Sequence, residues 1–137
     1  MNNTISGEIN ELKEICCKLS ELYGDSSSRF YPPASKTDIE KWENEYTALP
    51  EHIRQWLEFS DGYEIMNDRL FHLDDFISNH PHFPDELVII GSSHDESLCF
   101  SKIDGQIVRY GMKETRRYAD FKSFLNETLI RSLRKEL

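Results

Sequence analysis

The residues of this chain that could do chemistry are concentrated between positions 72 and 95. Imidazole nitrogens and carboxylate oxygens together are able to bind zinc or to form an acid–base pair. The spacing matches no ligand motif, because His80-Pro-His82 offers two ligands at best and no helix positions a third. We therefore expect no metal site and no cofactor. The full set is His72, Asp74, Asp75, His80, His82, Asp85, His94 and Asp95.

Nucleophilic catalysis has a weaker basis still. Ser92, Ser93, His94 and Asp95 contain the residue types of a catalytic triad, but a triad requires a geometry that adjacency in sequence does not supply. The glycines stand singly, as turn or cap residues, so the chain has no phosphate-binding loop. The sequence predicts a protein that is not an enzyme.

Charge is the strongest indication of a binding function. The formal net charge is −9; residues 61–104 contain ten acidic and two basic residues, whereas residues 113–137 contain seven basic and four acidic ones. Nucleic-acid binding requires a basic surface for phosphates, so this composition argues against it. A concentrated acidic surface attracts a basic protein partner. The alternative is an ordinary solvated acidic surface, which keeps a protein soluble.

The candidate docking residues are the acidic side chains in the turns and loops of this segment, with an aromatic anchor nearby. The acidic residues are Asp68, Asp74, Asp75, Asp85, Glu86, Asp95 and Glu96, and the anchor is Tyr63 or Phe83.

Membrane association is not expected. No apolar run approaches the ~20 residues of a membrane span. The amino terminus lacks the basic start and apolar stretch of a signal peptide. We expect a cytoplasmic protein.

Two helices and the beginning of the strand that follows them must position these residues. Ser35 is a helix cap, Pro50 starts a second helix, and Gly62 ends it. Trp42 lies on the apolar stripe of the first helix with Ile39 and Tyr46, and Trp56 lies on that of the second, which predicts that both tryptophans are buried.

The remaining elements follow along the chain. Residues 4–23 form an amphipathic helix whose apolar stripe packs on the core or, as the alternative, binds a partner, and residues 24–33 form a loop. Two strand-like segments, 63–66 and 70–73, flank a turn at Asn67-Asp68, and residues 74–77 form a short helix. Further strands are 87–90, an apolar run typical of a central strand, and a hairpin around Asp104-Gly105; the last helix starts near Asp120. The chain is predicted to be one α+β domain over 1–137, with a mostly antiparallel twisted sheet at about 63–110 and helices from both ends.

The order of these signals resembles the SUKH superfamily of Smi/Knr-like proteins. The resemblance covers about residues 30–130. Three segments of the chain are similar to segments of the family: the short segment 70–77, the strand 87–91 and the closing helix 121–129. The residues that carry it are Ile39, Trp42-Glu43, Leu49-Pro50, Trp56-Leu57 and Asp61-Gly62, with Tyr63 where many members have a second glycine.

This resemblance implies a function. Bacterial members of the superfamily resemble immunity proteins of polymorphic toxin systems, which bind a cognate toxin, frequently a nuclease, without catalysis. Because a nuclease presents a basic surface to its substrate, an acidic inhibitor suits that role. Fungal signalling regulators of this superfamily carry long disordered flanking segments. This chain shows none of them, which favours the role of an immunity protein over that of a scaffold. The alternative is a regulatory or scaffold domain that binds an endogenous partner, and the neighbouring genes would separate the two.

Overall fold

The computed structural model describes residues 3–137 as one sheet with helices from both ends of the chain. The helices are α1 (Ser6–Tyr23), α2 (Lys36–Glu45), α3 (Glu51–Phe59), α4 (Phe121–Phe124) and α5 (Arg131–Arg134). A π-helical segment, Leu125–Ile130, joins α4 to α5, and the three pieces form one continuous carboxy-terminal helix. No helix in the described residues has the length and apolar content to cross a membrane.

The sheet has eight strands, and every pairing is antiparallel. Its order is β1-β2-β3-β5-β6-β7-β8, with β4 paired to β5. The strands are β1 (Ser28–Phe30), β2 (Tyr63–Ile65), β3 (Asp68–Leu70), β4 (Ile77–Ser78), β5 (Leu87–Ser93), β6 (Glu96–Ser101), β7 (Ile107–Tyr110) and β8 (Glu114–Tyr118). The predicted α+β class with a mostly antiparallel sheet is confirmed.

Two local signals around the central helices, the Ser35 cap and a positive φ at Gly62, are confirmed, but α3 ends at Phe59 with Ser60 as its C-cap, so Gly62 lies beyond the helix rather than ending it. The Ser35 hydroxyl accepts a hydrogen bond from the Asp38 amide at 3.0 Å, as a helix cap should. Gly62 has φ of +104°, and a Cβ there would lie 2.6 Å from the Leu70 carbonyl oxygen. Pro50 is the residue just before α3 rather than its first residue.

The main core lies between one face of the sheet and the helices. Trp56 has no exposed surface and contacts the rings of Phe30, Phe59 and Tyr63, while Trp42 is also buried. The amino-terminal helix, which begins at Ser6, buries one stripe here, as predicted. A smaller apolar cluster covers the other sheet face, consisting of Leu87, Ile89, Cys99 and Val108 with Phe71, Phe83 and Tyr110 against it.

Several predicted boundaries were wrong. The segment 24–33 contains a short 3₁₀ helix (Asp25–Ser27) and strand β1 rather than a loop alone, and β8 extends the sheet beyond residue 110. The loop between β6 and β7 spans residues 102–106 rather than two residues, because Gly105 donates to the carbonyl of Ser101 and closes a wider turn. The short helix near Asp74 is a 3₁₀ turn, Leu73–Asp75.

Candidate functional site

The structure does not bring the predicted docking residues together. Asp85 and Glu86 precede β5, whereas Asp95 and Glu96 follow its far end. Seven residues of strand separate the two pairs by roughly 20 Å at 3.3 Å per residue. Asp74 lies against α2 instead. The acidic segment is therefore continuous in sequence but divided among three places in the fold.

Tyr63 cannot serve as the aromatic anchor, so that prediction was wrong. Its side chain has 0% exposure, because the strand register places it on the core face of β2, opposite Leu70. Burial raises the pKa of the Tyr63 hydroxyl well above its usual value, and Asp68 raises it further. The alternative anchor, Phe83, is half-buried and packs on Tyr110 with ring centroids 5.0 Å apart.

Asp68 is also not the turn residue that the sequence predicted. The turn between β2 and β3 is formed by Met66 and Asn67, since Ile65 pairs with Asp68. Asp68 begins β3 on the buried face of the strand and is only 8% exposed. Its Oδ1 atom is buried and has no hydrogen-bond partner in the described part of the chain.

The electrostatic surroundings of Asp68 do not compensate its burial. Desolvation raises the pKa of the Asp68 carboxyl. The Ser93 hydroxyl and the charges of His94 and Arg109 oppose this shift without cancelling it, and Asp95 adds to it. A buried carboxylate without full pairing is costly for a fold, which makes it an indicator of function.

Asp68 lines a cavity of about 230 Å³ that we call the hairpin pocket. Two hairpin tips and the carboxy-terminal helix enclose it. Met66, His94 and Asp95 all have positive φ, at 55°, 52° and 63°. Such angles are uncommon for residues other than glycine. The lining residues are Met66, Asn67, Asp68, His94, Asp95, Ser132, Leu133 and Glu136.

The pocket brings an aspartate, a histidine and a serine into the order of a catalytic triad. His94 Nε2 lies 3.3 Å from Ser132 Oγ. However, Asp68 Oδ1 is 3.9 Å from His94 Nδ1, and Nδ1 lies 3.1 Å from Ser93 Oγ instead. A triad needs the carboxylate hydrogen-bonded to the imidazole to orient it. This geometry does not activate Ser132.

Glu96 is held by partners within its own chain. Its Oε1 accepts hydrogen bonds from Arg109 Nη2 and from the Thr115 hydroxyl, each at 2.9 Å. These bonds, first from Thr115 and then from Arg109, lower the pKa of the Glu96 carboxyl. Because these bonds already occupy the Glu96 carboxylate, it is a poorer docking residue than the sequence suggested.

Four other predicted docking residues differ from Glu96, because their carboxylates are not held by partners of this kind. Asp74, Asp75, Asp85 and Asp95 are exposed, and none of them forms an ion pair within residues 3–137. Their carboxylates are therefore free to meet a basic partner. Other acidic residues of the segment lie 3.8–3.9 Å from a basic side chain of their own chain, namely Asp61 from His72, Glu64 from Arg69 and Asp104 from Arg117.

Asp74 belongs to an acidic group that sequence reasoning missed. It lines a shallow cavity with Asp38 and Glu45 of α2, and with Lys41 and Trp42; we call these five residues the α2 patch. Tyr46, expected on the buried stripe, is 48% exposed and packs on Trp42 with ring centroids 4.9 Å apart. Helical periodicity around Asp38 and Glu45 was the available signal.

The histidines do not converge on a metal. His72 Nδ1 lies 2.6 Å from the carbonyl oxygen of Asp61, and its ring packs edge-on against Tyr31. His80 and His82 are neighbours in their loop, with ring centroids 5.7 Å apart. In the described residues no group of three or more histidines, cysteines or carboxylates is arranged to hold a metal ion.

A family model for the SMI1/KNR4 family (SUKH-1) matches residues 33–127, which is more than half of the chain. The chain belongs to this family. A comparison with curated proteins finds no match. The SUKH-1 match runs from the segment before α2 into the carboxy-terminal helix, so it includes the α2 patch and both hairpin tips. Ser132, Leu133 and Glu136, which form the third wall of the hairpin pocket, lie beyond it.

Proposed function

We propose that this protein is an immunity protein of a bacterial polymorphic toxin system. It acts in the cytoplasm and neutralises a cognate toxin of the nuclease type by binding it directly, with no catalysis of its own. SUKH-1 domains are known from immunity proteins, and the family match supports that class. The partner in this proposal is a protein with a basic surface.

The observation that carries the proposal is that four exposed carboxylates form no ion pair within residues 3–137: Asp74, Asp75, Asp85 and Asp95. A carboxylate that is already paired must give up that pair to meet a partner, whereas a free one does not. A nuclease presents a basic surface to its phosphate substrate. Free acidic side chains attract such a surface and accelerate association.

Of the three places that hold these carboxylates, the α2 patch also offers an exposed aromatic contact. Asp38, Glu45 and Asp74 line one cavity, and Tyr46 is exposed beside Trp42. Exposed aromatic side chains are typical anchors of protein interfaces. We therefore place the docking surface here, with Asp75 at its edge.

The experiment measures binding to the toxin domain encoded beside this gene. Asp74→Lys with Asp75→Lys should slow association on the order of tenfold at low salt, and less at moderate salt, while dissociation changes little. The melting temperature should stay near that of the wild type, because exposed side chains contribute little to stability. In cells, the wild type should rescue growth from the toxin better than this variant.

A matched control reverses Glu14 and Glu21, two exposed acids of α1 without an ion pair among the described residues, to lysine. It changes net charge by the same amount. If the α1 variant loses association and the Asp74/Asp75 variant does not, the interface lies on α1. A neighbouring cell-wall or signalling operon, with no toxin bound or neutralised, would refute immunity and favour a regulatory domain.

A further inference from the structure

The hairpin pocket contains a buried carboxylate that the described chain pairs only in part. Asp68 is more than nine-tenths buried, it lines the cavity, and its Oδ1 atom has no hydrogen-bond partner within the described residues. A buried acceptor left unpaired loses its hydration without a replacement bond, which is costly for a fold. Such a group is expected where a ligand supplies the missing donor.

The charge of the pocket indicates the sign of that ligand. Asp95 and Glu136 add two carboxylates at the rim, and no lysine or arginine is among the eight lining residues. His94 Nε2 is engaged with the Ser132 hydroxyl. The ligand must therefore be a cation that donates hydrogen bonds. A metal ion is a poor candidate, since no metal-holding group is found in the described chain.

The volume of the pocket and its lining residues indicate that the ligand is a single amino-acid side chain. The cavity of about 230 Å³ is smaller than the roughly 300–1,000 Å³ of sites for drug-sized ligands. Met66 and Leu133 form apolar walls that would contact an aliphatic stem. Arginine fits best, because its guanidinium is weakly hydrated, always charged and presents several donors to carboxylates on different sides.

We propose that the hairpin pocket binds the side chain of an arginine from a basic protein partner. Asp68 accepts hydrogen bonds from the guanidinium at the floor of the pocket, and Asp95 and Glu136 surround it at the rim. The inference rests on the proposed function for the identity of the partner, a basic toxin. The pocket itself is testable without that toxin.

The two hairpin tips are built in a way that suits this role. Residues 94 and 95 connect β5 to β6 as a two-residue turn with both φ values positive. Asparagine and glycine are the residues preferred in such a turn. Here the turn instead presents His94 and Asp95 to the pocket. Neither residue is the asparagine or glycine that adopts such angles most readily.

The test uses the full-length, ¹⁵N-labelled protein and N-acetyl-arginine methylamide as the probe. The citrulline analogue, which has nearly the same shape without the charge, is the control ligand. We expect saturable amide shifts at residues 66–68, 94–95 and 132–136 with the arginine probe and none with citrulline. Asp68→Asn should weaken binding about tenfold or more, since a hydrogen bond to a charged group is lost.

Matched variants keep the test decisive. Glu14→Gln, an exposed acid of α1 without an ion pair among the described residues and outside the pocket lining, should leave the affinity for the probe unchanged. If Asp68→Asn does not fold, the double variant Asp95→Asn with Glu136→Gln should weaken binding at the rim instead. Equal affinity of wild type and variants, equal binding of the citrulline or lysine analogue, or shifts confined to other surfaces would overturn the proposal.

The outcome is independent of the toxin-binding experiment. If the probe does not bind but the protein still rescues cells from the toxin, only the arginine pocket is refuted. If the probe binds with the expected variant effects but no toxin is neutralised, the proposed function fails and the pocket stands.

Discussion

Asp68→Asn should make the protein more stable, although it changes a buried residue at the end of a strand. The wild-type carboxylate is 8% exposed, and its Oδ1 has no hydrogen-bond partner in the described structure. Desolvation raises its pKa despite the opposing effects of Ser93, His94 and Arg109. Asparagine has nearly the same shape but removes the charge that burial penalises.

The magnitude follows from the cost of an unpaired buried group, about 1–3 kcal/mol. Asparagine keeps a polar amide in the same place, so we expect the lower end, a gain of about 1 kcal/mol at neutral pH. In a chain of 137 residues this corresponds to a melting temperature higher by roughly 3–4 °C. We expect such a cost in the free protein where a ligand pairs the buried carboxylate only on binding.

The pH dependence gives the sharper test. The pKa of Asp68 is raised in the folded state, so the folded protein binds this proton more tightly than the unfolded chain does. Stability from this group is complete below the unfolded value, about 3.9, and is lost as pH rises through the folded pKa. The advantage of Asp68→Asn should therefore be near zero at low pH, grow with pH, and then level off.

Urea unfolding followed by circular dichroism at a series of pH values measures this difference. Asp85→Asn, an exposed residue without an ion pair in the described chain, is the control and should differ from wild type by less than about 0.5 kcal/mol. A loss of stability in Asp68→Asn at neutral pH, or a gain that is the same at every pH, would show that Asp68 is satisfied within the fold.

Three further predictions concern the core, the sheet and metal. Trp56→Ala should cost about 3–5 kcal/mol in urea unfolding, because the fully buried indole packs against several rings and donates to the Gly62 carbonyl; a loss below the cost of a surface change would contradict the packing. Gly91→Ala should cost about 3 kcal/mol, since a Cβ would lie 2.1 Å from the Arg69 carbonyl oxygen, whereas Gly7→Ala, with open space around it, should be neutral or slightly stabilising. Chelator treatment should leave the melting temperature unchanged, and a drop of several degrees would indicate a structural metal.

The sequence was sufficient where one residue type decides the local backbone. The Ser35 cap and the positive φ of Gly62 follow from side-chain chemistry and the missing Cβ, so both were predictable. The burial of Trp42 and Trp56 followed from helical spacing. These signals act over a few residues and need no knowledge of the rest of the fold.

The elements that were missed depend on distant partners. Strand β8, Glu-Thr-Arg-Arg-Tyr, lies at the edge of the sheet with four of its five residues exposed, so it shows no apolar alternation. Strand β1 has three residues in a segment rich in serine and proline. The β2–β3 turn places Met66 at φ of 55° without a glycine to mark it. Each is stabilised by pairing rather than by its own composition.

The hairpin pocket was invisible for the same reason. Its three walls come from residues 66–68, 94–95 and 132–136, and no periodicity connects them. The sequence analysis placed the β2–β3 turn at Asn67-Asp68 rather than at Met66-Asn67, and it therefore predicted wrongly that Asp68 is exposed. The misjudged Tyr63 has the same origin, because both residues lie on the buried face of one hairpin.

The two surfaces proposed for the partner should affect binding in different ways. Asp74 and Asp75 are exposed and unpaired in the described chain, and charges of this kind act on the association rate. Asp68 is buried, and removing one partner of a buried charge pair acts on the dissociation rate. The chain between Asp68 and Asp74 spans at most about 20 Å, and a standard interface of about 800 Å² per partner is roughly 30 Å across. One toxin domain is therefore large enough to contact both, and its binding should then be slower to form in the Asp74/Asp75 variant and faster to dissociate in Asp68→Asn.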